Sequence, residues 1–266
     1  MNIADMFILD SWRASLRKDW ALEAAWPEKT IDHVGIVTAI QNALPNIHGS
    51  VHTTTGIKFQ VDAAIPAYIL FLLLNDAYEH GDIEIVRKYV TAGDKAVMAG
   101  VGIGVVASAI ALASGNSVLG IDGNARLQPF VEKTAELNGI SIDFIHGVVG
   151  DFPDSGTVPF VISREFWTSS LRDDTRLEQQ TVYAPCIDLN VAVATATANV
   201  LFIDIEGAEE TLFAQHMISP AVKKLFVEIH SPNLPTTTCA KIKNDIWAQG
   251  FRLVDTAGLT HYWERD

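Results

Sequence analysis

The residues best suited to chemistry fall in two short blocks. Asp204-Ile205-Glu206-Gly207-Ala208-Glu209 crowds three acids into six positions. Leu225-Phe226-Val227-Glu228-Ile229-His230 sets an acid and a histidine at alternate positions, so on a strand they share a face. Carboxylates are costly to bury unpaired, so such a cluster suits a cation, a proton-transfer task or a hydroxyl substrate. Asp204 and Glu206 read as functional, with Glu206 orienting a substrate. Glu209 and Glu210 read as first-turn acids of a helix. His230 is expected near Asp204, which makes either of them the candidate general base. Asp204, Glu228 and His230 are also suitable ligand types for Mg²⁺ or another divalent ion, although nothing in their spacing demands a metal.

A third block holds no acids at all. Gly100-Val101-Gly102-Ile103-Gly104 puts glycine at alternate positions between an apolar stretch, Ala96-Val97-Met98-Ala99, and a small apolar segment from Val105 to Ala113. A chain turning from strand to helix there lets a ligand approach the backbone without meeting a Cβ. The helix N-terminus adds unpaired N–H groups and a positive dipole end. Asp122 closes the next apolar stretch, Ser117–Ile121, where an acid accepts hydrogen bonds from a ribose diol. The pair points to an adenosine-containing cofactor. A dinucleotide fingerprint needs glycine at its sixth position, and here that position is Val105.

These blocks require strands that end together. Ala96–Ala99, Ser117–Ile121, Ile140–Val149, Val200–Asp204 and Leu225–Ile229 read as strands. Val105–Ala113, Leu127–Asn138, Glu209–His216 and Thr238–Gln249 read as the helices between them, with Gly139 and Gly250 as stops. Strands alternating with helices mean an α/β fold with a parallel sheet. Phe251–Val254 and Thr260–Trp263 read as a closing antiparallel hairpin. Residues 152–198 break the rhythm and read as an insertion with short strands near 158–163 and 181–187. Before residue 91 the expectations are a helix striped by Trp12, Leu16 and Trp20, a second helix over Ile31–Leu44 and a hairpin over 51–61. A buried helix over Ile65–Leu74 and an amphipathic one over Asp82–Val90 follow. The organisation expected is therefore an N-terminal cap over 1–90, helping to choose the substrate, and a catalytic domain over 91–266.

Composition removes several classes. The chain has 266 residues, 48% of them apolar, with 19 Lys and Arg against 32 Asp and Glu. A net charge of −13 argues against nucleic acid as a partner, because neutralising phosphates needs a basic surface. The run from Ala96 to Ile121 carries no formal charge and is long enough to cross a bilayer. Its glycines and the Ser114-Gly115-Asn116 turn divide it into strand, helix and strand, so no membrane span is expected. Cys186 and Cys239 offer no disulfide framework or metal spacing, and the start has no basic leader. A cytoplasmic setting is the expectation.

Ile203-Asp204-Ile205-Glu206-Gly207-Ala208-Glu209 resembles the hallmark of the FkbM-like S-adenosylmethionine-dependent methyltransferases. Ala77-Tyr78-Glu79 with Ala92-Gly93-Asp94, Gly100–Gly104, Leu137-Asn138-Gly139, Val182–Leu189 and Val227–His230 resemble further family blocks in order, over about residues 50–265. The resemblance implies a Rossmann-like class I methyltransferase sheet and O-methylation of a hydroxyl on a sugar or secondary metabolite. It puts Gly100, Gly102, Gly104, Asp122, Glu79 and Asp151 at the cofactor, and Asp204, Glu206 and His230 at the chemistry. Two positions depart from the family pattern. Met98 stands where an acid is usual, and Phe202 where Lys is frequent. Asp122 also replaces the more usual Glu. The Met98 departure motivates an alternative, a cofactor-binding protein without catalysis. A nicotinamide-dependent oxidoreductase is a weaker one.

Overall fold

A computed structural model describes residues 49–52, 56–61, 65, 69, 72–73, 77–150, 156–163, 179–206, 208–230 and 234–266. The tryptophan-striped helix, the Ile31–Leu44 helix and Asp151 lie outside them. The chain divides into two compact units, Met1–His80 and Gly81–Asp266. In the first, β1 (Gly49–His52) pairs antiparallel with β2 (Lys58–Val61), and Ile65, Ile69 and Leu73 are buried at four-residue spacing.

The second unit is built on a seven-stranded sheet. Its strands in chain order are β3 (Ala96–Ala99), β4 (Val118–Asp122), β5 (Ile142–His146), β9 (Val200–Ile203), β10 (Lys224–Glu228), β11 (Arg252–Ala257) and β12 (Thr260–Glu264). Their spatial order is β11-β12-β10-β9-β3-β4-β5. The five strands from β10 to β5 are parallel, and β12 and β11 close one edge antiparallel. This is the expected α/β arrangement, a mostly parallel sheet with a C-terminal antiparallel hairpin. The chain runs outward from β3 through β4 and β5, then crosses back to β9 on the other flank of β3. Ligands of open α/β sheets bind at such a reversal, beyond the carboxyl ends of the strands.

Burial explains why the central strands are so apolar. Every residue of β3 and β9 is buried, as expected of parallel strands covered on both faces. One face presents Val97, Ala99, Leu201, Ile203, Leu225 and Val227 to a single core that includes Leu212, Phe213, Ile242 and Ile246. The other face stacks aromatic rings: Phe202 on Phe226 at 5.8 Å, Phe226 on Tyr262 at 4.7 Å and Tyr262 on Tyr89 at 4.0 Å. The helices are α1 (His80–Tyr89), α2 (Val105–Ser114), α3 (Gln128–Asn138), α4 (Leu189–Thr195), α5 (Glu209–Gln215) and α6 (Thr236–Ala248). Left-handed Gly115 and Gly139 stop α2 and α3. Among the described residues no helix is long and apolar enough to cross a membrane.

Two expectations need correction. The strand expected over Ile140–Val149 breaks at Gly147. β5 ends at His146, and β6 (Val148–Val149) leaves to pair with β8 (Gln179–Ile187), which itself pairs antiparallel with β7 (Thr157–Ser163). A Cβ on Gly147 would lie 2.4 Å from Ile187 Cγ1, so this glycine lets the small sheet close against the large one. The region read as an insertion also contains α4. Asp188 caps that helix, accepting from the Asn190 and Val191 N–H groups at 2.8 and 3.1 Å.

Candidate active site

The three loop glycines serve three different purposes. Gly100 (φ +83°) lies where the ends of β3 and β9 nearly touch, and a Cβ there would sit 1.6 Å from the Asp204 carbonyl oxygen. The Asp204 N–H in turn donates to the Ala99 carbonyl at 2.9 Å. Gly102 (φ +54°) aims its N–H at Asp122 Oδ2, 3.0 Å away. Gly104 (φ +84°) is the N-cap of α2, a left-handed backbone that L side chains rarely adopt.

Asp122 is the fixed point of this half of the site. Its Oδ2 accepts from Gly102 and its Oδ1 from the Asn124 N–H at 2.8 Å. Burial pushes its carboxyl up to about 6, against the pull of those two N–H groups. Each carboxylate oxygen has two lone pairs, so acceptor capacity remains for a ligand diol. Gly123 must be bare, since a Cβ would meet the Phe160 ring of β7 at 2.7 Å. The loop therefore packs under the small sheet.

The acid blocks come together around one imidazole. His230, 7% exposed just past β10, has Nε2 at 3.2 Å from Glu206 Oε2, 3.6 Å from Asp204 Oδ1 and 4.0 Å from Glu228 Oε1. Its Nδ1 lies 3.2 Å from Glu209 Oε1. Burial alone would lower the His230 pKa. The hydrogen bonds with Glu206 and Glu209 and the charges of Glu206 and Asp204 overcome it and push it up to about 12. Glu228 moves the other way in charge. Burial, then the charge of Asp82, pushes its carboxyl up to about 7, while a side-chain hydrogen bond with Asp204 opposes the rise. Asp82, on α1, is buried and accepts from the Thr260 hydroxyl. Glu206 adopts a left-handed backbone (φ +51°), a conformation that costs on the order of 1–3 kcal/mol and clusters at functional sites.

Of the expected chemical residues, Asp204, Glu206 and His230 thus stand side by side, and Gly100 joins them to the glycine loop. Of the expected cofactor residues, Gly100, Gly102, Gly104 and Asp122 line one strand-end turn. Glu79 belongs to the first unit, in a left-handed turn (φ +54°). Asp204, Glu228 and His230 bring potential ligand atoms within 4.8 Å of one another. Two residues of the cluster were not expected there. Glu209 is the first-turn acid of α5 that was expected but is also fully buried against His230, and Asp82 lies in what reads as an ordinary amphipathic helix.

Met98 and Phe202 are register partners on adjacent strands and both are buried. The two therefore form a buried apolar pair at the centre of the sheet, with no charge to compensate.

No family model and no curated protein matches the chain. Solved structures of similar fold include TYW2 from P. horikoshii in complex with MeSAdo, at 14% identity and TM-score 0.45, covering 81% of this chain and 69% of that one. Ribosomal protein L11 methylase from Lactobacillus delbrueckii subsp. bulgaricus is 14% identical at TM-score 0.42, covering 71% of this chain and 79% of that one. Precorrin-6y C5,15-methyltransferase from Geobacter metallireducens GS-15 is 7% identical at TM-score 0.41, covering 68% and 84%.

Proposed function

We propose that this chain is an S-adenosylmethionine-dependent methyltransferase acting on a hydroxyl of a sugar or secondary metabolite. The observation that carries the reading is the junction at Gly100, where a cofactor-type glycine loop abuts an acid cluster at the sheet's reversal point. The residues present fit such a cofactor. Asp122 has acceptor capacity for the ribose diol, the N-terminus of α2 faces the loop, and the carboxylates around His230 outnumber its one positive charge, which suits a sulfonium. When bound, the cofactor supplies an electrophilic methyl.

The protein's part is alignment and proton removal. Asp204 accepts the hydroxyl proton, with Glu228 hydrogen-bonded beside it to share the charge. Glu206 orients the acceptor from its left-handed turn. His230 stays charged and balances the carboxylates. Methyl transfer from labelled S-adenosylmethionine across a panel of hydroxyl compounds tests the reading. Turnover abolished by Asp204→Asn supports it. Cofactor binding without turnover on any acceptor would favour the non-catalytic alternative that Met98 motivates.

A further inference from the structure

Gly123 follows Asp122 directly, and unlike Gly100 and Gly104 it has no left-handed backbone. What excludes a side chain there is a ring. A Cβ would lie 2.7 Å from Cε2, 2.7 Å from Cζ and 2.8 Å from Cδ2 of Phe160. Phe160 is buried in the small sheet, in one cluster with Val148, Ile162 and Ala184. The peptide it closes on also sets Asp122. The Gly123 carbonyl oxygen lies 3.1 Å from His146 Nε2, and the Asn124 N–H donates to Asp122 Oδ1 at 2.8 Å. The Gly123–Asn124 peptide is thus held at its carbonyl and its N–H from within the large sheet and its loop, and at its α-carbon by the small sheet. A second tie joins the same two parts: the Arg126 guanidinium donates to Gln180 Oε1 of β8 at 2.6 Å.

We propose that Phe160 is a positioning residue for the cofactor's sugar: by closing on Gly123 it keeps the Asn124 N–H on Asp122 and so fixes the carboxylate that accepts from the ribose diol. The small sheet thereby sets a preference for ribose over 2′-deoxyribose. A carboxylate held in one orientation gains from both hydroxyls of a diol, and a deoxy sugar leaves one of those bonds unmade. The sugar preference rests on the methyltransferase reading. The hold on the Asn124 N–H does not, and it can be read in the full chain without cofactor.

The experiment is calorimetry of the full chain with S-adenosylhomocysteine and with its 2′-deoxy analogue. Wild type should prefer the ribose form about tenfold or more, and Phe160→Ala should bring the two within about threefold. Val158→Ala, in the same small sheet and packed on the same cluster, should keep the wild-type preference, so a general loosening of the sheet would not imitate the effect. Gly123→Ala should weaken binding of the ribose form, and adding Phe160→Ala should recover part of the loss, because the new methyl then enters the space the ring has left. In the cofactor-free chain, hydrogen exchange of the Asn124 amide should quicken about tenfold in Phe160→Ala while the amides of β3 keep their rates. A preference kept in Phe160→Ala, an unchanged Asn124 exchange, or simply additive losses from Gly123→Ala and Phe160→Ala overturns the proposal and leaves the methyltransferase reading standing. Wild type that binds neither ligand overturns that reading and the sugar preference with it. Phe160→Leu, which removes the ring and keeps an apolar side chain, gives the same readings should Phe160→Ala not fold.

Discussion

The two halves of the site are held in place by different means. At the ends of β3 and β4, backbone does the holding. Asp122 is pinned by two N–H groups, and Gly100, Gly104 and Gly123 are required by close approach or by positive φ. At the ends of β9 and β10, side chains hold one another. Asp204, Glu206, Glu209 and Glu228 gather on a single imidazole, and Glu206 keeps a strained backbone. A backbone cradle is rigid, and the one carboxyl it pins, Asp122, is pushed up to about 6 by burial. A ring of mutually dependent side-chain charges is tunable. Damage to the first half should therefore read out as lost folding or binding, and damage to the second as altered proton chemistry.

The largest effect should come from Gly100→Ala, which strikes both halves. Its Cβ collides with the Asp204 carbonyl and its backbone is left-handed, so urea unfolding should show a loss of about 4 kcal/mol or more, or no fold at all. A loss below about 1 kcal/mol would mean the two strand ends are not so tightly joined. Next, Asp204→Asn should lower kcat about 10²–10⁴-fold with cofactor affinity unchanged, since it removes a proton acceptor and keeps the shape. Equal losses in binding and turnover would erase the distinction between the halves.

Asp122→Asn should do the reverse. It replaces a charged acceptor, so S-adenosylmethionine affinity should drop by about 1.5–3 kcal/mol, with kcat at saturation little changed. A smaller effect is expected in stability against pH. Folded Glu228 keeps its proton to about pH 7, whereas an ordinary glutamate releases it near 4.5. Between those values the unfolded chain binds fewer protons, so stability falls as pH rises. His230 acts in the same direction: its contribution is full below about 6.5 and is lost as pH rises through about 12. Glu228→Gln should remove the lower part of that slope and raise stability at pH 8 by roughly 1–3 kcal/mol, measured by thermal unfolding. An unchanged slope would place the proton elsewhere.

Much of the fold was legible because parallel strands buried on both faces must be continuous apolar runs. Ala96–Ala99 and Val200–Ile203 could be read directly, and the glycine stops at Gly115 and Gly139 set the helix ends. The break at Gly147 was not legible, because it is imposed by Ile187, forty residues on in the sequence, and no local pattern records it. Helix α4 was overlooked because its surroundings are rich in Pro and Thr, although Asp188 was there as its cap. In the site, the DIEGAE block and the Glu228–His230 alternation identified the right strand ends. The contact of Glu209 with His230 was hidden because an acid in a first helical turn already has a sufficient local reason. Only the position of β10 beside β9 brings His230 within reach of it. The pairing of Met98 with Phe202 is of the same kind, invisible until the strands are placed in register.

The central claim is that the glycine loop and Asp122 bind S-adenosylmethionine beside the acid cluster. Isothermal titration calorimetry of the full chain, wild type and Asp122→Asn, tests it most directly. The account predicts saturable one-to-one binding for wild type, weakened about tenfold or more in Asp122→Asn. No detectable heat with millimolar cofactor, or identical affinity in the two proteins, would contradict it.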